Sequence, residues 1–196
     1  MKTLKKSAYV LSLMLASVSA QAGEWMLNNE QSQLSFISTK KVNVAEVHQF
    51  GTLSGGLNEA GQFTMEIDLA SVDTGIEIRD SRMKEFLFDI VDFPKAVISA
   101  SVEPEMVTNL PVGESMASTI DGQLNLHGQQ HPLSINVLVT KVSEQELLVV
   151  SSQPLVLNAA DYELVQGVEK LRELAGLPSI SYAVPVSFYL TLNAAN

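Results

Sequence analysis

Cysteine is absent from the chain, which excludes disulfides and leaves no residue behind a leader for lipid modification. Positive charge is the second scarcity, with twelve Lys and Arg against twenty-two Asp and Glu. Three of those lysines fall within the first six residues, so residues 23–196 keep nine basic against twenty-two acidic side chains, a net charge of about −13. Such a surface repels nucleic acid and anionic lipid headgroups, both of which need basic patches. Catalytic signatures are missing too. Residues 51 to 55 read Gly-Thr-Leu-Ser-Gly, which is no nucleophile elbow, and Gly167 runs into Val-Glu-Lys rather than a phosphate loop.

The first residues stand apart from the rest. Lys2, Lys5 and Lys6 precede an apolar run from Ala8 to Val18, and Ala20-Gln21-Ala22 supplies a small-x-small site. This pattern predicts a secretory signal peptide over residues 1–22, cleaved after Ala22. The run is too short for the roughly 20 residues that span a bilayer, so no integral membrane segment is expected once the leader is removed. No repeat or low-complexity linker divides residues 23–196, which read as one domain large enough to bury roughly 70% of its unfolded surface.

What is present is period-two alternation. Trp25-Met26-Leu27 opens a short strand, Leu34, Phe36 and Ser38 share one face of the next, and Glu46 to Leu57 carries His48 and Phe50 on one face. Gly55-Gly56 and Asn58 to Gly61 read as turn residues leading to a strand from Phe63 to Leu69. Strands follow over Ala96 to Val102, Thr119 to Leu126, Leu133 to Val139, Glu146 to Leu157 and Ser179 to Leu192, with Pro185 predicting a bulge or edge in the last. Residues 103 to 118, holding Pro104, Pro111 and Gly113, predict an irregular connection.

The stretch from Ile67 to Ile98 concentrates apolar mass. It joins two strands through a charged turn and a short helix-like segment containing Phe86, Leu87 and Phe88. A second helix is expected from Asp161 to Ala175, where Leu164, Val168, Leu171, Leu174 and Ala175 fall at helical spacing and Gly176 and Pro178 supply the stop. About eight strands in hairpin-like succession with one or two short helices predict an all-β antiparallel barrel or sandwich.

Few residues carry chemistry. His127 and His131 flank a Gly-Gln-Gln turn with no third ligand in view, which favours a solvated or hairpin-stabilising pair and no metal site. His48 reads either as a polar contact in a pocket or as a hydrogen-bonded interior histidine, the second being favoured. Arg79 either receives an anionic headgroup through its planar fork or anchors its loop to carbonyls and an acid, and again the structural role is favoured. Asp80 is placed to cap the helix that follows. Asp89 and Asp92 flank an apolar turn and read as solvated.

Residue pattern then points to a family. Trp25 followed by Ser32-Gln33-Leu34-Ser35-Phe36, His48-Gln49-Phe50 before Gly55-Gly56, and Ser71-Val72-Asp73-Thr74 leading to Arg79-Asp80 occur in order. Leu87-Phe88, Asp92-Phe93-Pro94, Gly122-Gln123-Leu124-Asn125-Leu126-His127-Gly128 and Asp161-Tyr162 complete the series. In this the chain resembles the YceI-like family of secreted bacterial lipid-binding proteins over nearly all of residues 23–196. It departs from the short family pattern at Gly167 to Ser181, where a helix precedes the last strand and is a candidate lid.

The resemblance implies a lipocalin-like antiparallel barrel in the periplasm, without enzymatic activity and without a cofactor, holding a long amphiphile such as a polyisoprenoid or a quinone tail. Analogy and strand alternation together place Phe36, Phe50, Phe63, Met65, Ile67 and Phe86 in the pocket. Phe88, Phe93, Ile98, Leu124 and Phe188 join them, with His48 and Arg79 as polar contacts. A barrel of this size either fills its interior or keeps room for one ligand. An enzyme acting on a lipid-linked substrate and a filled barrel that binds an envelope partner therefore stand as alternatives, and a homodimer is left open.

Overall fold

Alternating side chains close on themselves in the computed structural model, which describes residues 24–195. The expected leader lies outside them. Eleven strands form one antiparallel sheet: β1 (Trp25–Lys40), β2 (Val44–Phe50), β3 (Leu53–Leu57), β4 (Gln62–Asp68), β5 (Val72–Asp73), β6 (Lys95–Ser101), β7 (Ser115–Leu126), β8 (Gln129–Ser143), β9 (Glu146–Ser151), β10 (Leu155–Asn158) and β11 (Ala183–Ala194). Eight of them, in the order β1-β3-β4-β6-β7-β8-β9-β11, return to β1 and make a closed barrel. Beyond one end of that barrel the long strands β1 and β11 continue, and their far halves pair with β2 and β10 instead. The barrel is thereby lengthened into an open cuff.

Two strands expected to be continuous are broken to allow this. Glu46 to Leu57 divides at Gly51-Thr52 into β2 and β3, and Glu146 to Leu157 divides at Ser152-Gln153-Pro154 into β9 and β10. Pro154 cannot donate to a ladder. At the first break the Asn29 side chain replaces the missing bonds, donating to the Gly51 carbonyl at 3.1 Å and accepting from the Leu53 N–H at 2.6 Å.

Gly55 and Gly56 are not turn residues. They lie inside β3, where a Cβ would stand 2.0 Å from the Thr64 and Trp25 carbonyl oxygens respectively, so the glycines serve close backbone approach. The turn is made by Asn58 to Gly61 alone, with the Asn58 side chain accepting from the Ala60 and Gln62 N–H groups. The β7–β8 hairpin turns on His127-Gly128, both at positive φ, as a two-residue connection between right-twisted strands requires. Pairing between β1 and β11 stops at Phe36 opposite Val186, next to Pro185, and resumes only at a bridge between Lys40 and Ile180.

Helical pieces cover the cuff. Helix α1 (Glu77–Arg82) runs on into a π-helical turn over Met83–Leu87, and α3 (Val165–Leu174) follows a 3-10 turn at Ala159–Tyr162. Helix α2 (Pro104–Thr108) occupies part of the connection expected to be irregular, started by Pro104 at its first position. Asp161 belongs to the 3-10 turn, so α3 is shorter than its periodicity suggests. Asp80 does not cap α1; it lies within that helix and accepts from the N–H and hydroxyl of Thr74, holding the incoming turn. Gly167 lets α3 settle on the π turn, because a Cβ there would meet the Phe86 carbonyl oxygen at 2.5 Å.

Candidate functional site

The space inside is divided along the barrel axis. A cavity of about 450 Å3 occupies the cuff, and a smaller one of about 90 Å3 lies deeper in the closed barrel. Leu34 and Phe36 on β1, Ile67 on β4, Ile98 on β6, Leu124 on β7 and Val186 on β11 form walls of the larger cavity. Met83, Leu87 and Phe88 from the π turn and its end, and Leu164, Val168 and Leu171 from the α3 segment, form its roof. Its opening is marked by Ile76 and Ile78, which line the cavity and are nevertheless 47% and 59% exposed.

Aromatic rings run along one wall. The Phe36 ring lies 5.3 Å from His48 and 5.3 Å from Phe50, which in turn lies 5.8 Å from Phe88. His48 is 3% exposed, and its Nε2 meets the Ser38 hydroxyl at 2.8 Å. Burial first, and the nearby Arg79 charge second, hold the imidazole below its ordinary value, so it is neutral at neutral pH. Its Nδ1 is buried without a hydrogen-bond partner.

Beside it two cations share one carboxylate. Arg79 donates through Nη1 to Glu46 at 2.6 Å and through Nη2 to the Thr74 carbonyl at 2.7 Å, and Lys40 donates to the same Glu46 oxygen at 2.8 Å. The Lys40 hydrogen bond first, and then the bond and charge of Arg79, outweigh burial and hold the Glu46 carboxyl below the usual carboxylate range. Arg79 thus ties its loop to the Thr74 carbonyl and to Glu46, and it is also among the residues that line the cavity. Lys40, Arg79 and Glu46 sum to one net positive charge, and the buried Nε of Arg79 has no partner, so this rim can offer hydrogen bonds to a polar head.

Residues 25–192 match the YceI-like domain. The chain belongs to the YceI-like family. It is 39% identical to a polyisoprenoid-binding domain from Saccharophagus degradans implicated in plant cell wall breakdown, over 88% of this chain and 99% of that one, with a TM-score of 0.86. Burkholderia cenocepacia BcnA is 19% identical over 84% of this chain and 98% of its own, with a TM-score of 0.65. A Campylobacter jejuni YceI protein is 10% identical over 98% and 94%, at 0.52, and these two share the fold. No match is found among the curated proteins.

In this YceI-like barrel, Phe36, His48, Phe50, Ile67, Arg79, Phe88, Ile98 and Leu124 come together around the larger cavity. Phe63, Met65 and Phe188, expected in the same pocket, line the smaller one, and Ile98 touches both. Phe86 and Phe93 line neither cavity. On the π turn Met83, Leu87 and Phe88 share the inward side and Phe86 does not, as helical spacing dictates. Phe93, just before β6, packs its ring at a tilt against His127, 4.4 Å between centroids. His131 packs edge-on against Tyr162 at 5.1 Å, so the two histidines are used separately, and no cluster fit to hold a metal occurs among the described residues.

Several lining residues were not singled out from sequence. Ser38 and Lys40 extend the alternation of Leu34 and Phe36, and Glu46 precedes His48 by one strand period, so a period-two signal for them exists. Leu155 and Leu157 carry the same signal, since they keep the parity of Leu147 and Val149, which line the smaller cavity, across the break before β10. Four members of the expected α3 stripe, Leu164, Val168, Leu171 and Ala175, do line the cavity; Leu174 is 36% exposed and does not.

Proposed function

We propose that this YceI-like domain is a non-enzymatic periplasmic binding or carrier protein, holding an isoprenoid-type amphiphile, a polyprenyl chain or a quinone tail, in the larger cavity. The observation that carries this reading is a 450 Å3 cavity walled almost wholly by apolar side chains and bordered at its rim by His48, Ser38, Lys40, Glu46 and Arg79. Its volume is in the range of small-molecule sites, which run from about 300 to 1,000 Å3. The resemblance to the polyisoprenoid-binding domain of Saccharophagus degradans supports the same ligand class.

The physical basis is burial. Each methylene withdrawn from water contributes about 0.8 kcal/mol, so a branched hydrocarbon tail needs little polar recognition to be retained. The buried Nδ1 of His48 lacks a partner, and a carbonyl or hydroxyl of the ligand head is the group that would complete it. The tautomer decides whether that nitrogen donates or accepts. Ser38 and His48 are paired as a nucleophile and base would be, but no carboxylate meets Nδ1 to orient the ring, and Glu46 is committed to Lys40 and Arg79. That arrangement favours binding over turnover. The leader pattern at residues 1–22 supports export.

Mass spectrometry of the protein purified from its native envelope, under non-denaturing conditions and again after organic extraction, tests the proposal. A stoichiometric isoprenoid or quinone is expected. Empty protein that also fails to bind such lipids when they are added back would overturn it.

A further inference from the structure

The partition between the two cavities is made by side chains, and it falls on one row of the sheet. Ile98 of β6 pairs with Met65 of β4 on one side and Leu124 of β7 on the other. Met65 lines only the smaller cavity, Leu124 only the larger, and Ile98 lines both. The opposite wall repeats the pattern, since Leu34 lines the larger cavity and its β-partner Phe188 the smaller. Among the described residues, Ile98 is the one that lines both voids. The side chains of this row therefore stand between the two voids.

We infer that Ile98, with Met65 and Phe188 behind it, is a septum that sets the length of hydrocarbon tail the protein encloses. The inference rests on the isoprenoid reading and adds a specificity-determining residue to it. A sealed apolar cavity of about 150 Å3 accepts one benzene-sized molecule. By that measure the 450 Å3 cavity takes roughly eighteen carbons, between about three and four isoprene units. The 90 Å3 beyond the septum, together with the carbons removed by Ile98→Ala, takes roughly one unit more. Units beyond the fourth remain outside the floor in the wild-type protein and stay near the mouth, in contact with water.

Affinities of prenylated benzoquinones that share one head and differ only in tail length test this. In the wild-type protein binding tightens roughly tenfold or more with each unit that enters the cavity, then by less than about twofold per unit after the fourth. In Ile98→Ala the break moves outward by about one unit, and adding Val137→Phe, which fills the smaller cavity from β8, returns it to the wild-type position. The wild-type break requires no variant, so misfolding of either one leaves the inference open to refutation. Smooth tightening past the fifth unit in the wild-type protein, or an unmoved break in folded Ile98→Ala, overturns the septum alone. Failure of every tail length to bind the wild-type protein overturns the ligand reading and the septum with it.

Discussion

His48 and Glu46 lie one strand period apart and respond to acid for different reasons. Burial, reinforced by the Arg79 charge, lowers the His48 imidazole from its ordinary 6.5. As pH falls, the unfolded chain takes up that proton before the folded one does, so stability declines from about pH 6.5 downward until the lowered folded value has been passed. Glu46 is lowered from 4.5, chiefly by its bond from Lys40, and its contribution is complete above about that pH and lost as pH falls through the lowered folded value. His48→Gln should flatten the decline that begins near pH 6.5 and leave the one below pH 4.5, whereas Glu46→Gln should keep the first and lessen the second, which Asp73 and Glu169, also held low by their hydrogen bonds, share. Urea midpoints measured from neutral pH into acid check both. A wild-type slope surviving in a variant's own window counts against the assignment.

At the level of the element, the roof is built from two helical pieces that meet through Gly167, where α3 touches the backbone of Phe86 and Leu87. The apolar stripe of α3 is only partly committed to the cavity, Leu171 facing it and Leu174 facing solvent. Leu171→Ala is expected to speed dissociation of a bound isoprenoid roughly tenfold, as about 1–2 kcal/mol of apolar contact is lost. Leu174→Ala should leave the rate within about twofold, since an exposed surface position contributes little. Stopped-flow displacement of ligand from the two variants separates a lid from a spectator helix. Equal rates in both would show that α3 does not retain the ligand.

For the molecule as a whole, closure depends on how β1 meets β11. Their register slips between Asn28 and Gln33, where six β1 positions span what three β11 positions, Tyr189 to Thr191, cover. Side chains stitch the irregularity: the buried Thr191 N–H donates to Ser32 Oγ at 2.9 Å, Ser32 donates to the Asn28 carbonyl at 2.7 Å, and Thr191 Oγ1 donates to the Gln31 carbonyl at 2.9 Å. The bulge bends β1 out of the closed barrel and into the cuff, which is how one strand serves both. Ser32→Ala leaves the Thr191 N–H without its acceptor and should cost about 1–3 kcal/mol. The urea midpoint reads that loss; an unchanged midpoint would mean that closure does not depend on the stitch.

The all-β antiparallel architecture, the inward faces of β1, β2, β4 and β11, and the apolar face of α3 were determined by the sequence, because the period of a strand or helix is a local property that alternating side chains record. The acidic charge and the missing cysteines were fixed there as well. Only the tertiary structure decided where long strands break, since whether Gly51 or Pro154 ends a strand depends on which neighbour it would otherwise pair with. Gly55 and Gly56 carried turn chemistry and were assigned instead to close backbone contact. Alternation put Phe63, Met65 and Phe188 on the same inner surface as Phe36 and Phe50, and it could do no more, because depth along a barrel depends on strand stagger rather than on side-chain period. The division of that surface into two cavities at Ile98, and the gathering of Ser38, Lys40, Glu46 and Arg79 around His48, are products of register between residues distant in the chain.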